Sequence, residues 1–161
     1  MKTIVVGYDG SPPARLALER AARLAQAFDS KVVVATVKEP LAAEAAIAAR
    51  GYAAPAIAVP ANQPAEQEQA ERLLAEARAY LARHGITVET ASPIGPPVAE
   101  IVDAAEAHDA DLIVFGTHEP GLFERLYRGS VSQGVARKAH CDVLVVHPES
   151  KPENPESKPE N

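Results

Sequence analysis

Short runs of branched aliphatic residues alternate along this chain with longer stretches in which apolar and charged positions recur every three or four residues. Five runs read as strands: Lys2 to Tyr8 (KTIVVGY), Lys31 to Val37 (KVVVATV), Ile86 to Ala91, Asp111 to Gly116 (DLIVFG) and Cys141 to His147 (CDVLVVH). The second is continuously apolar, as a strand covered on both faces of a parallel sheet must be, and the last two read as buried strands as well.

Helical periods fill the gaps between them. Asp9-Gly10-Ser11-Pro12-Pro13 punctuates the first strand, with Ser11 placed to cap a helix and Pro12 tolerated at its first position. Ala17, Leu18, Ala21, Leu24, Ala25 and Phe28 then make an apolar face, while Arg15, Glu19 and Arg23 make an i, i+4 ladder on the other side. Ala65 to His84 is the strongest helical pattern, with Ala70, Leu73, Leu74, Ala77 and Leu81 on one face, Pro64 near its start and Gly85 as its C-terminal cap. Gly95-Pro96-Pro97 opens a further helix carrying Val98, Ile101, Val102 and Ala105, and Gly129-Ser130-Val131-Ser132 forms the first turn of the last one. Strands and helices in alternation predict an α/β fold, a doubly wound open parallel five-stranded sheet with helices on both faces.

Two segments break the rhythm. From Lys38 to Pro64 an Ala-rich piece (Leu41 to Arg50) suits a short helix, and a proline-interrupted stretch without a clear period follows it, an insertion over the carboxyl edge of the sheet. Residues 148–161 are PESKPEN written twice, with no apolar side chain to offset the entropy of ordering. The reading is one domain over 1–147 and a disordered tail over 148–161.

Composition narrows the function. The net charge is -6, of which the tail's four Glu and two Lys carry -2, so the domain itself is acidic and nonspecific nucleic-acid binding is disfavoured. The single Cys141 precludes an internal disulfide and reads as a small structural hydrophobe. No apolar run is long enough to span a bilayer and no signal peptide precedes the first strand, so a cytoplasmic location is expected. The five histidines show no metal-ligand spacing.

Doubly wound sheets bind ligands beyond the carboxyl ends of their strands, where the strand order reverses. Asp9 after the first strand and Gly116 after the fourth flank that crevice, and this position favours a functional role for Asp9 over a mere Asx-turn into the first helix. A strand that empties through a Gly-containing loop into the helix start at Gly129-Ser130 brings unpaired N–H groups and a helix dipole onto one anion. No Gly-Lys-Ser/Thr phosphate loop, Gly-x-Gly-x-x-Gly, Gly-x-Ser-x-Gly or His-Glu-x-x-His motif is present, nor a paired base and nucleophile. The chain reads as a binder first and, if an enzyme at all, a slow one.

Tyr-Asp-Gly-Ser after the first strand, Asp-Leu-Ile-Val-Phe-Gly before the loop, Gly-Ser at its end and Cys-Asp-Val-Leu-Val-Val near the close of the domain together resemble the universal stress protein family. The resemblance runs from Lys2 to His147 and implies strand order 3-2-1-4-5. It also implies an adenine nucleotide, ATP or AMP, with Mg²⁺ as a further candidate, and a stress-response regulator. Tyr8, Asp9, Val37, Phe115, Gly116, Glu119, Gly129, Ser130, Val131 and Ser132 are the positions so implied: Asp9 beside the ribose or a metal, Val37 at the adenine, and Gly116 with the helix start around ribose and phosphates. A homodimer is implied too, commonly through the last strand, here Val143 to Val146, which would be an aggregation-prone edge if unpaired.

One position departs from the ATP-binding pattern Gly-x2-Gly-x9-Gly-Ser/Thr: Glu119 stands where the second glycine belongs. A carboxylate about 5 Å from a phosphate charge at an effective dielectric near 20 repels it by roughly 3 kcal/mol, on the order of a hundredfold in affinity. Solvent exposure of Glu119, Mg²⁺ shared with the phosphates, or a cation from Arg125 or Arg128 would relieve this, and AMP would suffer less than ATP. The competing reading is a dimeric protein-interaction module of the same family that has lost nucleotide binding.

Overall fold

A computed structural model describes residues 1–38, 63–116 and 131–147. The inserted segment with its Leu41 to Arg50 piece, the loop holding His118, Glu119, Gly121, Arg125, Arg128, Gly129 and Ser130, and the tail over 148–161 lie outside the described residues.

The β-branched run TIVVG forms β1 (Thr3–Gly7), which lies at the centre of the sheet. It pairs in parallel with β2 (Lys31–Ala35) on one side and β4 (Leu112–Gly116) on the other. The edges are β3 (Val88–Ala91) and β5 (Asp142–Val146), giving the order β3-β2-β1-β4-β5, the expected 3-2-1-4-5. Helices α1 (Pro12–Phe28) and α2 (Gln63–Arg83) cover one face, packing on Ile4, Val6, Val32, Val34 and Val114. The other face, with Val5, Val33, Ile113 and Phe115, is covered by α3 (Pro97–Ala107) and α4 (Val131–Lys138). Alternation along each central strand thus feeds two cores, so neither face of β1, β2 or β4 meets water.

The helix ends show how the chain turns back into the sheet. At the end of α2, Gly85 takes φ +69°, its N–H donates to the Ala82 carbonyl and the Ile86 N–H donates to the Leu81 carbonyl, while Leu81 and Ile86 are both buried. This is the Schellman arrangement with its apolar contact. The same 6→1 bond closes α1 (Ser30 N–H to Ala25) and α3 (Ala110 N–H to Ala105), but there the left-handed residue is an aspartate, Asp29 at φ 51° and Asp109 at φ 48°. Aspartate is among the few side chains that visit this region at modest cost.

Three expectations need correction. Phe28 holds the apolar spacing yet is 54% exposed. A 17-residue helix is about 25 Å long, whereas a five-residue strand spans about 17 Å, so the last turn of α1 overhangs the sheet. Arg15 does not run in a ladder along α1; it reaches 3.2 Å to Glu76, because α2 lies beside α1 on the same face. β5 is not a buried strand. Asp142 and Leu144 are exposed, and only Val146 joins the α1-side core, since α1 covers no more than the carboxyl end of this edge. Smaller shifts have local causes: β3 starts at Val88 rather than Ile86 because Ile86 belongs to the helix-closing motif.

At the amino edge, Asp111 ties two strands together. Its Oδ2 accepts the backbone N–H groups of Lys2 (2.5 Å) and Thr3 (3.0 Å), and those bonds hold its carboxyl below the usual range. A depressed carboxyl stabilises the fold above its unfolded value and loses that contribution as pH falls through its folded one. Asp111→Ala should therefore lower the urea midpoint at pH 7, and the gap to the parent should shrink as pH falls below about 4. A gap independent of pH would show that the carboxylate charge plays no part.

Candidate functional site

All five strands are parallel, so their carboxyl ends share one edge. The chain leaving β1 enters α1 on one face, whereas α4, which follows β4, lies on the opposite face. A crevice opens where neighbouring strands send their continuations apart, and here that point lies between β1 and β4.

The β1–α1 turn forms one wall. Gly10 takes φ +77°, a conformation that a side chain would strain, and a Cβ there would stand 2.5 Å from Leu73 of α2. Asp9 Oδ1 accepts the Ser11 N–H at 2.9 Å, an Asx-turn, and Ser11 Oγ accepts the Ala14 N–H at 3.3 Å as the N-cap of α1. The local reading of Asp9 is thus realised with one oxygen. Its other oxygen has no partner among the described residues, and the side chain is exposed at the mouth of the crevice.

Beside it lies a cavity of about 200 Å³, lined on the sheet side by Asp9, Thr36, Val37 and Lys38 and on the helix side by Gln69, Ala70 and Leu73. The Lys38 ammonium is held by Gln67, which in turn donates to Glu71. A positive charge and the Asp9 carboxylate therefore belong to the same cavity. The contribution of α2 has no signal in the sequence, because Gln69, Ala70 and Leu73 read only as a stretch of amphipathic helix.

Gly116 closes the opposite wall. A Cβ there would stand 2.1 Å from the Pro13 carbonyl oxygen and 2.8 Å from the Ala14 nitrogen. The first turn of α1 is laid directly on the end of β4, and that approach needs glycine whatever the loop beyond it binds.

Tyr8 and Phe115 are neighbours of the crevice in sequence, but their rings leave it for opposite cores. The Tyr8 hydroxyl donates to Glu76 Oε1 at 2.9 Å, with Arg15 3.2 Å from the same oxygen. Burial pushes the phenol's pKa up, so it stays protonated as this donor requires. Only main-chain groups of these two residues face the edge. Val131 and Ser132 begin α4, and nothing further of their side chains is described.

A larger hollow of about 300 Å³ lies at the amino edge, among Val102, Glu106, Asp109, His140 and Cys141. Burial, and then Asp142 and Asp111, push the Cys141 thiol up, away from a thiolate nucleophile. Among the described residues no group of three or more His, Cys, Asp or Glu is placed to hold a metal, and no helix is long and apolar enough to cross a membrane.

The family model for the universal stress protein family matches residues 1–147. The chain belongs to that family. This family member is similar to a universal stress protein of Methanocaldococcus jannaschii, 31% identical over 156 residues that cover 93% of this chain and 84% of the relative. It is also similar to a putative universal stress protein of Staphylococcus haemolyticus, 32% identical over 155 residues, covering 95% and 88%. Among solved structures, a universal stress protein in complex with cAMP superposes with a TM-score of 0.68 at 29% identity, over 92% of this chain and 98% of that one.

The close approach at Gly116 yields a direct check. Gly116→Ala is expected to cost about 1–3 kcal/mol in urea unfolding, because the atoms it meets are backbone and cannot rotate aside. A loss under about 0.5 kcal/mol would mean that α1 shifts freely over β4.

Proposed function

We propose that this protein binds an adenine nucleotide, AMP or ATP, across the carboxyl ends of β1, β2 and β4, and acts as a stress-response regulator through occupancy rather than as an efficient enzyme. The observation that carries the reading is the cavity at the carboxyl ends of β1 and β2, under α2, where Asp9, at the β1 side of the strand-order reversal, holds one carboxylate oxygen without a partner among the described residues. The cAMP complex of a relative 29% identical supports it.

In this reading Val37 presents main-chain groups to the adenine, and Asp9 takes the ribose hydroxyls or a Mg²⁺ ion with its unpaired oxygen. Main-chain groups of Tyr8 and Phe115 border the ligand. Gly116, Glu119, Gly129, Ser130, Val131 and Ser132 surround the phosphates, with the N–H groups at the start of α4 aimed at them. Glu119 makes AMP the better ligand, and Mg²⁺ offsets its charge when ATP binds. Ligand binding would shift a surface that partners read. The protein would work in the cytoplasm, with the tail over 148–161 solvated.

A second reading has its own observation. β5 is an edge strand with Leu144 exposed and Val143 and Val145 half-buried, which suits pairing with a second copy through Val143 to Val146. An interaction module built on that dimer would need no nucleotide.

Calorimetry with AMP, cAMP and ATP, with and without Mg²⁺, separates the two. Binding of AMP, with ATP weaker unless Mg²⁺ is present, is expected, and no heat and no thermal shift at millimolar ligand would overturn the nucleotide reading. Glu119→Gly should tighten ATP by roughly tenfold to a hundredfold if the parent already binds it. Binding that appears only in the variant would favour the interaction module.

A further inference from the structure

The backbone ladder between β1 and β2 runs from Thr3↔Lys31 to Gly7↔Ala35, and the Tyr8 N–H adds one more bond to the Ala35 carbonyl at 2.9 Å. Immediately beyond it a side chain takes over. Thr36 is 5% exposed, and its Oγ1 donates to the Tyr8 carbonyl at 2.8 Å in a buried bond.

That carbonyl belongs to the peptide plane joining Tyr8 to Asp9. Fixing the plane fixes the direction in which the chain enters Asp9, because only the two dihedrals of Asp9 follow it. Threonine suits this position because its branched Cβ restricts χ1, so the hydroxyl is aimed before any ligand arrives. Thr36 N–H meanwhile donates to the Ala91 carbonyl, so β2 is held from β3 while its hydroxyl reaches β1.

The hydroxyl nearest in register does not share this proton. The register Ala35↔Ala91 continues to the bridge Lys38↔Ile94, which sets Ser92 opposite Thr36. Ser92 Oγ is buried but makes no hydrogen bond, to Thr36 or to anything else among the described residues.

We infer that Thr36 is a positioning residue for the ligand site, a hydroxyl clamp from β2 that sets the Asp9 carboxylate at the mouth of the cavity Thr36 also lines. This rests on the nucleotide reading for its ligand, but the clamp itself has a readout without one. Thr36→Val keeps the shape and the branched Cβ and removes only the donor. Thr36→Ser keeps the donor and loses only a methyl group.

Measured by calorimetry with AMP, Thr36→Val should weaken binding at least fivefold and Thr36→Ser less than twofold. In an Asp9→Ala background, Thr36→Val should have no further effect on affinity, since the residue it positions is gone. Equal losses in both backgrounds, or a Thr36→Ser protein as weak as Thr36→Val, would overturn the clamp. Amide exchange at Ser11, whose N–H is held by Asp9, supplies the ligand-free test: it should speed up in Thr36→Val while amides in the middle of α1 stay unchanged. If the parent binds no AMP, the nucleotide reading falls and the Ser11 exchange alone decides, with an unchanged rate sinking the clamp.

Discussion

Because β1 is paired on both sides, every later element of this domain is placed relative to it. Its β2 side accumulates strands while the connecting helices α1 and α2 lie on one face; its β4 side accumulates strands with α3 and α4 on the other. Two consequences follow from one pairing scheme. Both faces of the central strands are sealed, which the runs IVV and VVV satisfy without a single polar residue. Between the carboxyl ends of β1 and β4, at the middle of the sheet, the chain leaves toward opposite faces, so a crevice is a product of topology and not of any particular loop. Gly116 is the price of that arrangement, since α1 must start on top of the end of β4.

Much of this was legible in the residues, and the reasons are local. Strand runs are short and branched, Ser11-Pro12 is a strong helix start, and Gly85 is the side-chain-free residue that a left-handed helix end prefers. The same motif at Asp29 and Asp109 was not legible, because aspartate is common in loops for several other reasons. Phe28 shows the limit of periodicity, which reports the face of a helix but not whether a sheet still lies beneath it. β5 shows a related limit: VLVV reads as buried, but edge position is decided by strand order, and strand order came from resemblance rather than from the run itself.

The candidate site divides along the same line. Asp9 and Gly116 could be picked out because turns and strand ends are punctuated in sequence, whereas Thr36, Gln69 and Leu73 could not, because they reach the crevice only through packing. Tyr8 and Phe115 were placed correctly along the chain, but alternation on a strand sends their rings into the two cores. Gly116 carries a second lesson. A glycine at the start of this loop is what helix-on-strand packing demands here, and that packing alone accounts for it.

Electrostatics adds a direction to the crevice. The start of α1 is already occupied as an acceptor-binding site: Asp9 Oδ1 takes the Ser11 N–H and Ser11 Oγ takes that of Ala14. An exposed carboxylate there favours hydroxyls or a cation and repels a phosphate, by roughly 3 kcal/mol at about 5 Å and an effective dielectric near 20. A nucleotide bound as proposed would therefore be polarised by the protein, its sugar toward Asp9 and its anionic end toward the start of α4. Lys38, which lines the same cavity as Asp9, sets a positive charge there against the carboxylate.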